Sequence, residues 1–183
     1  MPSPTLILTK PVALIGMMGA GKTAVGHALA DRLGVAFLDS DEALVKAANM
    51  SIAEIFDRDG EAFFRARETE VIDRLLAEKP GIVSTGGGAF LAEQNRKLIS
   101  SKGVSVWLKA DLELLWSRVR HKTTRPLLRT ADPRATLAEI LAERGPIYAL
   151  ADMEVEAKED YSIAQMAEAV LQALIRADIV KES

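Results

Sequence analysis

Gly16-Met17-Met18-Gly19-Ala20-Gly21-Lys22-Thr23 decides how this chain is read. The stretch fits G-x-x-x-x-G-K-[ST] at every fixed position, and its flanks suit that pattern. Pro11 to Ile15 before it is an apolar run of strand length. Thr23 to Leu33 after it has helical spacing and is stopped by Gly34. Glycines let the backbone fold so tightly that successive N–H groups point at phosphate oxygens, and the following helix adds its positive end. Lys22 supplies a charge for the β- and γ-phosphates, and the Thr23 hydroxyl is a ligand for Mg²⁺. The pattern does not say which phosphate chemistry follows. The Asn-Lys-x-Asp base-reading motif of common GTPases is missing from the sequence.

Outward from this loop, short apolar runs alternate with longer helical ones. Strands are expected at Val35 to Leu38, Ile82 to Ser84, Val104 to Leu108 and Met153 to Ala157. Between them, Ser51 and Glu54 have capping-box spacing, and Glu61 to Glu78 reads as a long helix after the Asp59-Gly60 turn. Glu93 to Lys102 and a segment capped by Asp111 follow, then a helix opened by Asp132-Pro133 and a closing helix, Ser162 to Ala177. Such alternation implies βαβ units, an α/β fold with a mostly parallel sheet covered by helices on both faces. Ile179 to Ser183 reads as a frayed tail.

At 183 residues the chain suits one domain, 1–183, and 49% hydrophobic with 27% charged residues is a globular balance. A net charge of −3 speaks against a general nucleic-acid binder. With 0 cysteines there is no disulfide framework or thiolate zinc site, and 2 histidines are too few for a histidine-based metal centre. Val12 to Gly21 is about half the ~20 residues that a membrane span needs, and Lys10-Pro11 interrupts any signal-like run. The expected location is the cytoplasm.

Several residues point to an acceptor. Asp39 and Asp41 follow the second strand and, two apart in an extended chain, would project to one side at the edge where ligands collect. They read equally as helix caps. Arg65 stands beside Phe63 and Phe64 with Glu61 and Glu68 at helical spacing, either a solvated ion pair or a fork for a carboxylate. Gly86-Gly87-Gly88 after the third strand is a flexible turn or a surface for close backbone approach. Between Leu114 and Ala131 stand Arg118, Arg120, Lys122, Arg125 and Arg129 without one acid. That inversion suits a solvated face, with His121 simply exposed, or a mobile lid over phosphates at about 120–132.

Taken in order, Gly16 to Thr23, Phe37-Leu38-Asp39-Ser40-Asp41, Phe64-Arg65 with Glu68, Gly86 to Gly88, Arg125-Pro126-Leu127-Leu128, and Arg144 with Tyr148 to Asp152 resemble shikimate kinases. The resemblance covers roughly Pro11 to Asp152. It implies a P-loop kinase fold with a five-stranded parallel sheet in order 2-3-1-4-5, and transfer of phosphate from ATP to the 3-hydroxyl of shikimate. By that match Gly19, Ala20, Gly21, Lys22, Thr23, Arg118 and Arg125 serve the nucleotide, with Mg²⁺ on Thr23 and Asp39. Asp41, Arg65, Gly86, Gly87, Gly88 and Arg144 hold shikimate within an acceptor segment of about 39–68 and beyond it. Lys22, Asp41 and Arg125 carry the chemistry. A monomer acting on small molecules is expected, with no nucleic-acid or membrane partner. Ile147 replaces a usual leucine, and Met153 to Ala157 lacks a threonine often found there, which leaves the adenine contacts open. Another kinase of the same fold, or a non-catalytic ATP-binding module, would share the phosphate loop but not the whole set.

Overall fold

The computed structural model describes residues 3–121 and 128–183. Its elements run β1 (Leu6–Leu8), β2 (Val12–Ile15), α1 (Lys22–Leu33), β3 (Phe37–Asp39), α2 (Ser40–Ala48), α3 (Ile52–Ala77), β4 (Ile82–Ser84), a 3-10 turn (Ala89–Leu91), α4 (Glu93–Lys102), β5 (Val104–Lys109), α5 (Leu112–Val119), α6 (Pro133–Tyr148), β6 (Met153–Glu156), α7 (Ile163–Arg176) and β7 (Val180–Glu182). The main sheet is all parallel in order β3-β4-β2-β5-β6. Counted over the five strands expected from sequence, that order is 2-3-1-4-5. Every residue of the central strand β2 is buried, as its unbroken apolar run requires. Helices α1 and α7 pack together, as do α3 and α4, giving the sheet a helical layer on each face.

Local chemistry sets the ends of these elements. Gly34 closes α1 in the left-handed region, φ 66°, with its N–H on the Ala30 and Asp31 carbonyls. Asp111, Asp132 and Ser162 cap α5, α6 and α7, the last through a full capping box with Gln165. The expected Asp59-Gly60 turn is present: Gly60 (φ 84°, ψ 171°) leaves helical geometry and kinks the α3 span into two helical pieces.

Two expectations are corrected. Ile179 to Ser183 is not a frayed tail: β7 pairs antiparallel with β1, Leu6 opposite Glu182 and Leu8 opposite Val180. The Thr9 N–H and hydroxyl both donate to the Ile179 carbonyl, at 2.9 and 2.8 Å. Ile179 and Val180 are buried against the core, so leaving them in water would cost hydrophobic stabilisation. Asp39 and Asp41 do not lie in one extended strand either. The chain turns into α2 at Ser40, Asp39 becomes its N-cap by accepting the Glu42 N–H at 3.0 Å, and Asp41 falls in the first helical turn. Ser40 is buried at this turn, and its Oγ accepts from the Gly86 N–H.

Candidate active site

The carboxyl ends of β2, β3 and β4 open into one cleft of about 1380 Å³. Its floor is the phosphate loop. Gly21 caps α1 with φ 96°, a conformation that side-chain-bearing residues rarely adopt, and so turns the first N–H groups of the helix towards the cleft. Lys22 Nζ donates to the carbonyls of Gly16 at 2.6 Å and Met17 at 3.1 Å, which keeps the ammonium over the loop. Thr23 is exposed beside it and lines the same cleft. From α5, Arg118 reaches back and donates to the Gly19 carbonyl at 3.0 Å. The Arg118 guanidinium is therefore braced against this loop.

On the other flank stand Asp41, Arg65 and Arg144, delivered by α2, α3 and α6. Arg65 is half-buried, with one guanidinium nitrogen donating to Glu68 at 2.9 Å and Nε 3.9 Å from Glu61. Phe64 lies under its guanidinium, 5.2 Å from ring centroid to carbon. Glu68 is 1% exposed, so Arg65 is anchored to a carboxylate with almost no water around it. Burial pushes the Glu68 carboxyl above its usual range, and the Arg65 hydrogen bond and charge pull it part of the way back.

Gly86, Gly87 and Gly88 back these side chains. A Cβ on Gly86 would stand 2.6 Å from Asp41 Oδ1, one on Gly87 3.3 Å from an Arg144 nitrogen, and one on Gly88 2.7 Å from an Arg65 nitrogen. The triplet is therefore a surface of close approach, one glycine for each charged side chain. The Asp41 carboxyl is raised above its ordinary value, first by burial and then by repulsion from Asp39, while Lys22 and Arg65 oppose the shift. Two carboxylates, Arg65 and the loop lysine thus share one field.

Among the described residues no group of three or more His, Cys, Asp or Glu is arranged to hold a metal. Mg²⁺ takes few protein oxygens and keeps waters and phosphate oxygens as its other ligands. The Thr23 hydroxyl and the Asp39 carboxylate, whose Oδ1 is engaged in the cap, are hard oxygen donors that fit it.

Gly19 to Thr23, Asp39, Asp41, Arg65, Gly86 to Gly88, Arg118 and Arg144 all line this cleft, so nearly every site residue expected from sequence comes together. Arg125 lies outside the described residues, as do the other residues of 122–127 in the expected lid. His121 is exposed, as expected, and accepts from Arg120. Missing from the sequence reading are Ala157, Lys158, Tyr161, Ile163 and Met166, which line the cleft beyond β6. Their signal was positional: they follow the strand at the far edge of the sheet, across the loop from Asp41. Ser40, Asn95 and Tyr148, buried behind the glycines, were also missed as contributors.

A profile of the family described as shikimate kinase matches residues 18–175. The shikimate kinase of Ruegeria pomeroyi is 63% identical over 177 residues, covering 96% of this chain and 91% of that protein. The shikimate kinase of Cereibacter sphaeroides is 59% identical, over 95% of this chain and 87% of its own length. Among solved structures, shikimate kinase from Acinetobacter baumannii in complex with shikimate superposes with a TM-score of 0.85 at 36% identity. The match covers 92% of this chain and 94% of that one.

Proposed function

The chain belongs to the shikimate kinase family, and from that premise we propose how its residues divide the transfer of phosphate from ATP to the 3-hydroxyl of shikimate. The enzyme makes shikimate 3-phosphate and ADP, a step in aromatic amino-acid biosynthesis. In the transfer, the hydroxyl oxygen forms a bond to the γ-phosphorus, the bond to the β–γ bridging oxygen breaks, and the hydroxyl proton departs. Such reactions ask mainly for alignment and charge neutralisation.

Gly19, Ala20 and Gly21 cradle the phosphates with backbone N–H groups, and Lys22 neutralises the β- and γ-oxygens. Arg118 closes the nucleotide side. Thr23 and Asp39 would hold Mg²⁺, which when bound would draw charge from the phosphate oxygens. Asp41 accepts the hydrogen bond of the attacking hydroxyl and so aims its lone pair. Arg65 and Arg144 take the single carboxylate of shikimate, and Gly86 to Gly88 let the ring lie against the backbone. Arg125 is assigned to the transferring phosphate from the sequence alone. The observation that carries this reading is the glycine triplet, which backs Asp41, Arg144 and Arg65 in one cleft with Lys22.

No helix among the described residues is long and apolar enough to cross a membrane, and the chemistry proposed belongs in the cytoplasm. A coupled assay with ATP, Mg²⁺ and shikimate should show ADP release that depends on shikimate, with a phosphate monoester as product. Turnover of gluconate or a nucleoside monophosphate, with none of shikimate, would overturn the assignment.

A further inference from the structure

The glycine segment is held from behind by three hydrogen bonds, and each leads to an element that bears an acceptor-site side chain. The Gly86 N–H donates to Ser40 Oγ at 3.1 Å; Ser40 is fully buried and directly precedes Asp41 on α2. The Gly87 carbonyl accepts from the Tyr148 hydroxyl at 2.7 Å; Tyr148 is fully buried and lies one turn after Arg144 on α6. The Ala89 carbonyl accepts from Asn95 Nδ2 at 2.8 Å, and Asn95 Oδ1 accepts from the Thr69 hydroxyl at 2.7 Å. Asn95 is fully buried, and Thr69 lies one turn after Arg65 on α3.

Buried polar groups need partners, and that alone would account for any one of these bonds. It does not account for their arrangement. Three elements far apart in sequence each place a charged side chain in front of the glycines; α2 and α6 also tether Gly86 and Gly87 from behind, and α3 reaches the adjoining Ala89 through Asn95 of α4. The front contacts leave no slack, at 2.6 to 3.3 Å for an added Cβ. A shift of the segment would therefore displace Asp41, Arg65 and Arg144 relative to one another.

We propose that Ser40, Tyr148 and the Asn95–Thr69 pair are positioning residues that fix the three acceptor-site side chains in one frame before shikimate arrives. Preorganisation of this kind lowers the ordering cost of binding. The proposal rests on the acceptor-site assignment above and adds residues that touch no substrate.

Full-length variants Tyr148→Phe, Thr69→Val and Thr69→Ser test it by steady-state kinetics, calorimetric shikimate binding and thermal melting. Tyr148→Phe and Thr69→Val should each weaken shikimate binding about five- to tenfold, the order expected of one buried hydrogen bond. The KM for ATP should stay unchanged. Thr69→Ser keeps the hydroxyl and should restore affinity. In the double variant the losses should be non-additive, because both bonds serve one segment. Ile99→Val, a core change in α4, calibrates a purely structural loss of melting temperature. If Tyr148→Phe and Thr69→Val melt earlier as Ile99→Val does but bind shikimate normally, the proposal is overturned. It is equally overturned if affinity for ATP and shikimate falls alike. Arg65→Ala separates the two readings. If it leaves shikimate binding intact, the acceptor site itself is misassigned; if it weakens binding while the tether variants do not, only the positioning role fails.

Discussion

Gly88 lies so close to Arg65 that a Cβ at position 88 would stand 2.7 Å from one guanidinium nitrogen and 3.0 Å from the other. Gly88 itself has φ −93° and ψ −7°, a conformation open to any residue. The glycine is therefore required by its neighbour and not by its backbone. Gly88→Ala should fold, the gain of up to about 1 kcal/mol from a stiffer unfolded chain being offset by the weakened Arg65–Glu68 bond. The methyl group should push Arg65 off its Glu68 anchor and raise the shikimate KM at least about tenfold, the loss of one charge-assisted bond. Melting and kinetics on the same variant check both halves.

The arginines should act on one substrate only. Arg65→Ala and Arg144→Ala should each cost about 1.5–3 kcal/mol of shikimate binding, roughly ten- to a hundredfold in affinity. ATP affinity should change little, because neither side chain borders the phosphate loop in the proposed assignment. Calorimetric titration with each ligand reads this directly. Loss of ATP binding with shikimate binding retained would put the acceptor pocket elsewhere.

Asp41 gives stability and activity opposite pH dependences. Burial and Asp39 raise its carboxyl in the folded chain, against Lys22 and Arg65, so the folded chain binds this proton more tightly than the unfolded one. Its contribution to stability therefore grows as pH falls through the window between the ordinary carboxylate value and the raised one. Glu68, raised chiefly by burial, acts in the same direction. Activity runs the other way, since a protonated Asp41 no longer accepts the hydroxyl hydrogen bond. Turnover should fall on the acid side while the protein stays folded. Asp39→Asn keeps a competent helix cap but removes the repelling charge. In the metal-free protein it should lower the pH at which Asp41 titrates, read by NMR, and an unmoved titration would exclude the Asp39–Asp41 coupling.

Arg125 is expected to act late in the reaction. If it meets the phosphate as charge shifts in the transition state, Arg125→Ala should lower kcat far more than it weakens shikimate binding. A cation that serves only solubility would leave turnover nearly normal. Measuring kcat and the shikimate dissociation constant on one preparation separates the two.

The terminal pairing should matter for stability and not for catalysis. Removing residues 179–183 would expose the surface under Ile179 and Val180, which are 8% and 1% exposed. Full burial of one such side chain is worth about 1.5–3 kcal/mol. The truncated chain should melt several degrees earlier and keep its KM for shikimate and ATP.

By itself the sequence determined what short-range chemistry controls. The phosphate loop is a run of eight residues whose backbone needs are met locally, so its glycines, Lys22 and Thr23 were legible without any partner. Helix ends were legible for the same reason at Gly34, Asp111, Asp132 and Ser162, where a cap lies within a few residues of what it caps. Local spacing singled out Asp39, Asp41, Arg65 and Gly86 to Gly88 but left each with a purely structural alternative, and the strand order and the acceptor roles came from the match of spaced motifs to a family. Only the tertiary structure decided how Asp41 is presented, because Ser40 meets the Gly86 N–H 46 residues away and α2 starts there, one residue early for an extended Asp-x-Asp. It also decided the fate of the tail, since a three-residue strand carries too little periodicity to announce a partner more than 170 residues distant. Tyr148, Asn95 and Thr69 were hidden for a related reason. Tyr148 and Asn95 donate to backbone carbonyls, which look alike in every residue, and only packing brings those carbonyls within reach.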